Sequence, residues 1–254
     1  MLVETRGNAW KRSESKKVDF LLEYRPNFPL ALIEAKHIGK SLGAGMQQAL
    51  GYAETLDVPF VFSANGKGFF FHDRTGQLSV TEQVLSQLPS PDELYALYTS
   101  KSNPFAPHGI VETPYYTESQ SKSPRYFQRI AVNRAVEAIS HGQKRTLLVM
   151  ATGTGKTYTA GQIMWRLWKS GNAKRILFLA DRNILVDQAK INDLKHFGDA
   201  MTKISRHNFQ DIGSLMAYEV FLGLYQAMSG VNEEDKLYKK LPKDFFDFII
   251  NQIA

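Results

Sequence analysis

The feature that most constrains the fold of this chain is MATGTGKT, residues 150–157, because it separates two segments of opposite character. The segment RTLLVM at 145–150, with its apolar run LLVM, predicts a buried strand, whereas Lys156 to Lys169 predict a helix. Glycines at such a junction let backbone N–H groups converge on a phosphate, and the helix N-terminus adds partial positive charge. The stretch therefore predicts a phosphate-binding loop in an α/β domain.

The loop has a defined set of candidate ligands for a nucleotide. They are Thr152, Gly153, Thr154, Gly155, Lys156 and Thr157. Lys156 would reach the β- and γ-phosphates, and Thr157 would offer its hydroxyl to Mg²⁺, so the predicted cofactors are ATP and Mg²⁺. The general pattern has a glycine where this chain has Met150, and the alternative is a glycine-rich turn with an incidental lysine. The flanking strand and helix patterns favour the phosphate loop.

The chain divides at a segment without apolar periodicity. Residues 101–124 are rich in Pro, Ser, Thr and Asn, which is typical of a linker. Residues 1–100 predict strand, strand, helix, strand and strand, which is a small α/β domain. Residues 125–254 alternate between helix and strand patterns, which predicts a parallel sheet with covering helices.

Particular segments within residues 125–254 carry these patterns. The strands predicted after RTLLVM are RILFLA, YEVFLGL and FFDFII. Besides the helix from Lys156 to Lys169, the predicted helices are YFQRIAVNRAVEAIS and ILVDQAKINDLKHF. The alternation of these strands and helices is the pattern that predicts the parallel sheet.

Composition excludes several classes of site. The chain has no cysteine, which excludes disulfides and thiolate zinc sites. Its formal net charge of +6 permits nucleic-acid binding without demonstrating it. We see no signal peptide and no apolar run approaching the roughly 20 residues that span a bilayer. We therefore expect a soluble protein of the reducing cytoplasm.

A second candidate site lies in the predicted domain of residues 1–100. There the turn residues RPNFP separate two apolar runs, VDFLLEY and PLALIEAKH. This arrangement predicts an antiparallel hairpin. Alternate residues of a strand share a face, so Glu34 and Lys36 face the same way, and the hairpin brings Asp19 beside them. Two converging carboxylates, Asp19 and Glu34, predict a Mg²⁺ site, with Lys36 orienting water or steadying charge. The alternative is an ordinary pair of opposite charges at a sheet edge.

The helix after this hairpin carries Gln48 and Tyr52, which lie four residues apart and share a helix face. With IEAK before it, QQALGY resembles the Gln-x-x-x-Tyr element of one subgroup of PD-(D/E)xK nucleases, where it touches DNA near the metal. That resemblance implies a supporting role for Gln48 and Tyr52. The proline that names the fold is replaced by Val18.

Residues 125–254 resemble superfamily 2 helicases and translocases, and MATGTGKT is the first motif that carries this resemblance. In RYFQRIAV, Gln128 stands where such proteins place an adenine-reading glutamine. LFLADRNILVDQA resembles their motif Ia, and FLGLYQAMSG, with Tyr225 and Gln226, resembles a further motor motif. The resemblance implies the first RecA-like lobe of an ATP-driven helicase or translocase, incomplete at its C-terminal end.

A nuclease, a linker and a motor in this order are an unusual combination. Together LALIEAKHIGK, GYAETLDVPFVFSANGKGFF and LLVMATGTGKTYTAGQI resemble the restriction (R) subunit of type I restriction–modification enzymes, from about Val18 to Ile250. The resemblance implies Mg²⁺-dependent cleavage of double-stranded DNA at Asp19, Glu34 and Lys36, with ATP-driven translocation. It also implies methyltransferase (M) and specificity (S) subunits as partners. The alternatives are a helicase–nuclease fusion of DNA repair or another defence system, and a non-catalytic module that docks DNA or a partner.

The last residues depart from the motor pattern. After a strand such as FDFII the family places Asp-Glu-x-His, which holds Mg²⁺ and activates the hydrolytic water. Here the residues are Asn251, Gln252, Ile253 and Ala254. The resemblance therefore implies that this chain binds ATP weakly and does not hydrolyse it usefully.

Overall fold

The computed structural model describes the backbone of residues 3–6, 9–12, 17–76, 82–99, 109–118, 123–204, 212–229 and 236–253. Its internal contacts divide the chain into two compact units, Met1–Pro104 and Phe105–Ala254. Among the helices in these stretches, none combines the length and the hydropathy that a membrane-spanning helix needs.

The first unit is built on a mixed sheet. Its elements are β1 (Val3–Arg6), β2 (Ala9–Arg12), β3 (Phe20–Arg25), β4 (Phe28–Ala35), α1 (Met46–Leu56), β5 (Phe60–Ala64), β6 (Phe69–Asp73), β7 (Glu82–Leu85) and α2 (Pro91–Thr99). β1 and β2 pair with each other, and the remaining strands form one sheet in the order β3-β4-β5-β6-β7. The predicted order of strand, strand, helix, strand and strand is confirmed by β3, β4, α1, β5 and β6.

The position of α1 follows from how β4 and β5 pair. These two strands run parallel, while the neighbouring pairs β3–β4, β5–β6 and β6–β7 are antiparallel. Parallel neighbours need a crossover connection, which a 3-10 turn at Leu42–Gly45 and α1 supply. Ala49 and Ala53 of α1 pack in one apolar cluster with Leu32 and Val61 of the strands. The helix consequently begins beside the C-terminal ends of β4 and β5.

The second unit is built on a parallel sheet. Its elements are α3 (Tyr126–Ser140), α4 (Lys156–Lys169), β8 (Ile176–Ala180), α5 (Asn183–Gln188), β9 (Met201–Ile204), α6 (Ile212–Leu215), β10 (Val220–Leu224), α7 (Tyr225–Ser229), α8 (Leu237–Lys240) and β11 (Phe248–Gln252). The sheet order is β11-β8-β10-β9, and every neighbouring pair is parallel. The predicted parallel sheet with covering helices is confirmed.

The segment RTLLVM does not form the buried strand that its composition predicts. Residues 145–150 have no regular secondary structure, and Leu147 and Val149 are 85% and 88% exposed. A cleft of about 680 Å³ lies between this segment and β11. Its lining includes Leu147, Leu148 and Met150 on one side and Phe248–Gln252 on the other. A strand is defined by hydrogen bonds to a neighbour, and apolar composition alone does not supply that neighbour.

The predicted helix ILVDQAKINDLKHF is only partly correct. After α5 the chain continues as a π-helical turn at Ala189–Asp193 and a 3-10 turn at Lys195–Ala200, where Gly198 has φ 51°. The irregular turns bury Leu194 against α4, at a point where a Cβ on Gly161 would lie 3.0 Å from the Leu194 side chain. Close packing against α4 thus overrides the helical pattern of this segment.

The predicted linker covers residues 101–124, but residues 109–118 of it pack into the second unit. Ile110 and Val111 are buried, and the buried Arg166 of α4 donates a hydrogen bond to the Val111 carbonyl. Gln162 accepts from the N–H of Tyr116 at 3.0 Å and donates to its carbonyl at 3.1 Å. Residues 109–118 are therefore ordered by α4, and residues 101–108 and 119–122 lie outside the described part of the chain.

His196 is a titratable group held inside the aromatic packing of this unit. Its ring stacks on Tyr116 with centroids 4.1 Å apart, and Trp165 and Phe197 contact it edge-on or tilted. Burial lowers the pKa of His196 to about 4. The pKa of an unfolded histidine is about 6.5, so the unfolded chain binds more protons between these two values.

We expect the free energy of unfolding to fall as the pH drops from about 6.5 to about 4, because the neutral ring must gain a proton. His196→Phe keeps an aromatic ring at this position and removes the titration. Its melting temperature should therefore fall less between about pH 7 and about pH 5 than that of the unaltered protein. Equal losses in both proteins over this interval would contradict the assignment.

Candidate active site and phosphate loop

The pairing of β3 with β4 places Asp19 beside Glu34. Phe20 pairs with Ile33, so Asp19, one residue before β3, lies across from Glu34. Residues directly opposite in an antiparallel pair share a face. A carboxylate oxygen of Asp19 accepts a hydrogen bond from the backbone N–H of Ala35 at 2.8 Å, which holds Asp19 against β4.

Glu34 is a buried carboxylate at the end of β4, and only 3% of the residue is exposed. Its Oε1 accepts a hydrogen bond from Lys36 Nζ at 2.7 Å. Its Oε2 is also buried, and it has no hydrogen-bond partner among the described residues. An unpaired buried carboxylate oxygen is costly, so this atom is suited to receive a cation.

Lys36 links Glu34 to α1. Its Nζ also donates to Gln48 Oε1 at 3.0 Å, and Gln48 Nε2 donates to Tyr52 Oη at 2.9 Å. Gln48 and Tyr52 lie one helical turn apart, so a single face of α1 carries both contacts. The structure therefore brings together Asp19 and the other four residues predicted for this site.

The charge state of Lys36 limits what it can do. The hydrogen bond to Glu34 raises the pKa of Lys36 above its ordinary value, burial opposes the rise, and the charges of Glu34 and Asp19 add to it. Lys36 therefore remains an ammonium group at neutral pH. It can orient water or stabilise negative charge, but it cannot remove a proton from water.

The carboxylates of Asp19 and Glu34 suit a magnesium ion. Mg²⁺ prefers oxygen ligands and often keeps several waters while binding one or two carboxylates. Across the described stretches, no group of three or more His, Cys, Asp or Glu side chains converges as a metal cage.

Gly45 and Ser63 also line this site, although neither was predicted from the sequence. Ser63 of β5 pairs with Glu34 of β4 and is fully buried. Its Oγ accepts a hydrogen bond from the backbone N–H of Gly45 at 3.1 Å. A serine in the apolar strand FVFSA is a visible signal, but its meaning depends on the parallel pairing of β4 and β5.

The phosphate loop precedes α4 and contacts α3. Gly153 and Gly155 have φ of 78° and 86°, a left-handed conformation that favours glycine. Gln128 Nε2 donates to the Thr154 carbonyl at 2.9 Å, while its Oε1 accepts from the N–H of Arg125 at 2.9 Å. A Cβ on Gly155 would collide with Gln128 Nε2, so the side chain of Gln128 lies directly against the loop.

The first residues of α4 direct polar groups toward the end of β11. Lys156 Nζ donates to the Ile253 carbonyl at 3.3 Å, and Thr157 Oγ1 donates to Gln252 Oε1 at 3.1 Å. Thr152 is exposed in the turn before them. The structure thus gathers the predicted nucleotide ligands around one loop between α3, α4 and β11.

Known proteins resemble both units. The sequence model of the family described as "Type III restriction enzyme, res subunit" matches residues 121–251. The Type I restriction enzyme EcoAI endonuclease subunit of Escherichia coli is 50% identical over 252 residues, which cover 98% of this chain and 30% of that protein. The EcoKI endonuclease subunit of Escherichia coli strain K12 is 33% identical over 166 residues, covering 59% of this chain and 14% of that protein.

A solved structure agrees with these sequence similarities. A fragment of an HsdR subunit of a type I restriction enzyme from Vibrio vulnificus YJ016 superposes with a TM-score of 0.77 and 38% identity, covering 99% of this chain and 44% of that chain. This chain thus spans less than half the length of each of these relatives. Its fold is a PD-(D/E)xK-type nuclease domain followed by part of a RecA-like lobe. The chain belongs to the family of the endonuclease (R) subunits of type I restriction enzymes.

Proposed function

We propose that the first unit cleaves double-stranded DNA by Mg²⁺-dependent hydrolysis of phosphodiester bonds. Asp19 and Glu34 would hold the metal, and Lys36 would act as the cation beside it. The observation that carries this proposal is the buried Oε2 of Glu34, which lacks a hydrogen-bond partner among the described residues. An oxygen in that state, next to a second carboxylate, fits a divalent cation better than it fits a structural ion pair.

Each side chain of this site has a role in the proposed reaction. A bound Mg²⁺ would polarise the scissile phosphate and lower the pKa of a coordinated water. The N–H of Ala35 keeps the Asp19 carboxylate oriented toward the strand end. Lys36 stays protonated and would stabilise the negative charge that develops on the phosphate. Gln48 holds the Lys36 ammonium, and Tyr52 holds Gln48.

We propose that the second unit binds ATP with Mg²⁺ and, in the whole protein, contributes to ATP-driven translocation of DNA. Lys156 would contact the phosphates, Thr157 would contact Mg²⁺, and Gln128 would contact the adenine base. The left-handed glycines of the loop and the start of α4 support phosphate binding. Lys156 hydrogen-bonds to Ile253, directly after β11, and Thr157 hydrogen-bonds to Gln252 of β11, so ATP would have to replace these two contacts.

The proposed partners are double-stranded DNA and the methyltransferase (M) and specificity (S) subunits of a type I restriction complex. The names of the relatives, which are endonuclease subunits of type I restriction enzymes, support this assembly. The formal net charge of +6 is compatible with a polyanionic partner. A complex that acts on cellular DNA would operate in the cytoplasm.

Glu34→Gln and Lys36→Gln should separate metal binding from cleavage. Glu34→Gln removes a ligand charge, so we expect Mn²⁺ affinity to fall at least about 10-fold and Mg²⁺-dependent nicking of plasmid DNA to disappear. Lys36→Gln removes a cation that competes for Glu34, so Mn²⁺ affinity should be retained or increased. Its nicking rate should still fall about 100-fold, because the charge that stabilises the phosphate is lost. Titration calorimetry and gel electrophoresis measure the two effects.

Glu54→Gln is the matched control, because Glu54 is an exposed carboxylate on α1. It should retain the metal affinity and nicking of the unaltered chain. Unchanged Mn²⁺ affinity in Glu34→Gln would contradict the proposed metal site. Metal binding without nicking, even after addition of M and S subunits, would instead favour a non-catalytic docking module.

Lys156→Ala should weaken the binding of a fluorescent ATP analogue by about 10-fold or more, because it removes a charge that contacts the phosphates. Gln128→Ala should reduce the preference for ATP over GTP more than it reduces affinity for triphosphate. Lys174→Ala serves as the control, since Lys174 is exposed and lies away from the loop in sequence. The nucleotide proposal fails if Lys156→Ala and Lys174→Ala bind the analogue equally.

A further inference from the structure

Gly45 lies against three side chains at the start of α1. A Cβ at this position would be 2.9 Å from Ser63 Oγ, 3.0 Å from Glu34 Cγ and 3.0 Å from Lys36 Cε. The backbone of Gly45 has φ −94° and ψ −8°, which any residue can adopt. Glycine is therefore required here because a larger residue would collide with its neighbours, and not because of the backbone conformation.

The surrounding atoms have little freedom to move away. Ser63 is fully buried, and its Oγ accepts the N–H of Gly45 at 3.1 Å, so rotation of Ser63 would break this bond. Glu34 Cγ and Lys36 Cε are each one bond from the carbon or nitrogen of the charged group. A shift of either atom is thus passed directly to the carboxylate or to the ammonium.

We propose that Gly45 is a positioning residue of the nuclease centre, an inference that rests on the nuclease function proposed above. The missing side chain lets α1 begin directly against Glu34 and Lys36. The N–H of Gly45 joins the helix start to Ser63, the strand partner of Glu34. Three residues further along, Gln48 then reaches Lys36 Nζ at 3.0 Å.

The same helix contains a matched control. Gly51 lies within α1 and is exposed, and a Cβ there would meet nothing within 4 Å. Alanine is a better helix former than glycine, so Gly51→Ala should raise the melting temperature without touching the site. Gly45→Ala makes the same chemical change at a position where the new methyl group meets Glu34 and Lys36.

The test compares Gly45→Ala, Gly51→Ala and Glu34→Gln in the 254-residue chain, using Mn²⁺ titration calorimetry and Mg²⁺-dependent nicking of plasmid DNA. We expect Gly45→Ala to weaken Mn²⁺ binding about 10-fold and to lower nicking, as displaced supporting groups do at metal sites. Its circular dichroism spectrum should remain that of the unaltered chain. Gly51→Ala should keep both the affinity and the nicking rate.

A double variant covers the case in which Gly45→Ala does not fold. Ser63→Ala removes the oxygen involved in the shortest contact, while the contacts with Glu34 and Lys36 remain. Gly45→Ala combined with Ser63→Ala should therefore bind Mn²⁺ more weakly than Ser63→Ala alone. Equal affinity in these two proteins would overturn the positioning role.

The failure of this inference differs from failure of the nuclease proposal. If Glu34→Gln weakens Mn²⁺ binding and Gly45→Ala matches the unaltered chain in affinity and nicking, only the role of Gly45 is overturned. If Glu34→Gln leaves Mn²⁺ affinity unchanged, the proposed metal site itself is wrong and the role of Gly45 falls with it.

Discussion

Parallel strand pairing decides where the candidate site of the first unit lies. Neighbouring parallel strands cannot be joined by a tight turn, so the chain must return through a crossover that begins where the first strand ends. In the first unit this requirement brings the start of α1 to the ends of β4 and β5, where Glu34, Lys36 and Ser63 stand. In the second unit the start of α4 also lies beside the end of the parallel strand β11, although the segment before α4 forms no strand. Polar side chains therefore collect at the edges where parallel strands end, which is where open α/β sheets bind ligands.

The centre in the first unit is an electrostatic compromise. Glu34 is buried, so its carboxylate would be costly without a compensating charge. Lys36 offsets part of that cost by donating a hydrogen bond to one of the two carboxylate oxygens of Glu34. The other oxygen remains available to a cation. The same arrangement raises the pKa of Lys36 and keeps it charged, so its charge is available for a phosphate. The hydrogen bonds from Lys36 to Gln48 and from Gln48 to Tyr52 limit the movement of this side chain.

The second unit depends on a buried cation that has no carboxylate partner among the described hydrogen bonds and ion pairs. Arg166 of α4 donates to Asn133 of α3 at 2.8 Å and to the Val111 carbonyl, and its guanidinium lies 5.2 Å from the ring of Tyr115. Burial lowers the pKa of Arg166, although a guanidinium remains charged at neutral pH. These contacts join α3, which carries Gln128, to α4, which follows the phosphate loop. The relative position of the two helices that carry candidate nucleotide ligands is therefore fixed by these contacts.

Local pattern by itself determined most elements of the fold and most residues of both candidate sites. Alternating or continuous apolar runs predicted β3 to β6, and the glycines before Lys156 predicted the start of α4, because these signals depend on neighbours in sequence. Only the tertiary structure decided that RTLLVM pairs with none of the described strands, that residues 109–118 pack on α4, and that Gly45 and Ser63 line the site of Glu34. Those facts depend on which strands pair and which helices touch. Such contacts join residues that are distant in sequence, so no pattern among neighbouring residues predicts them.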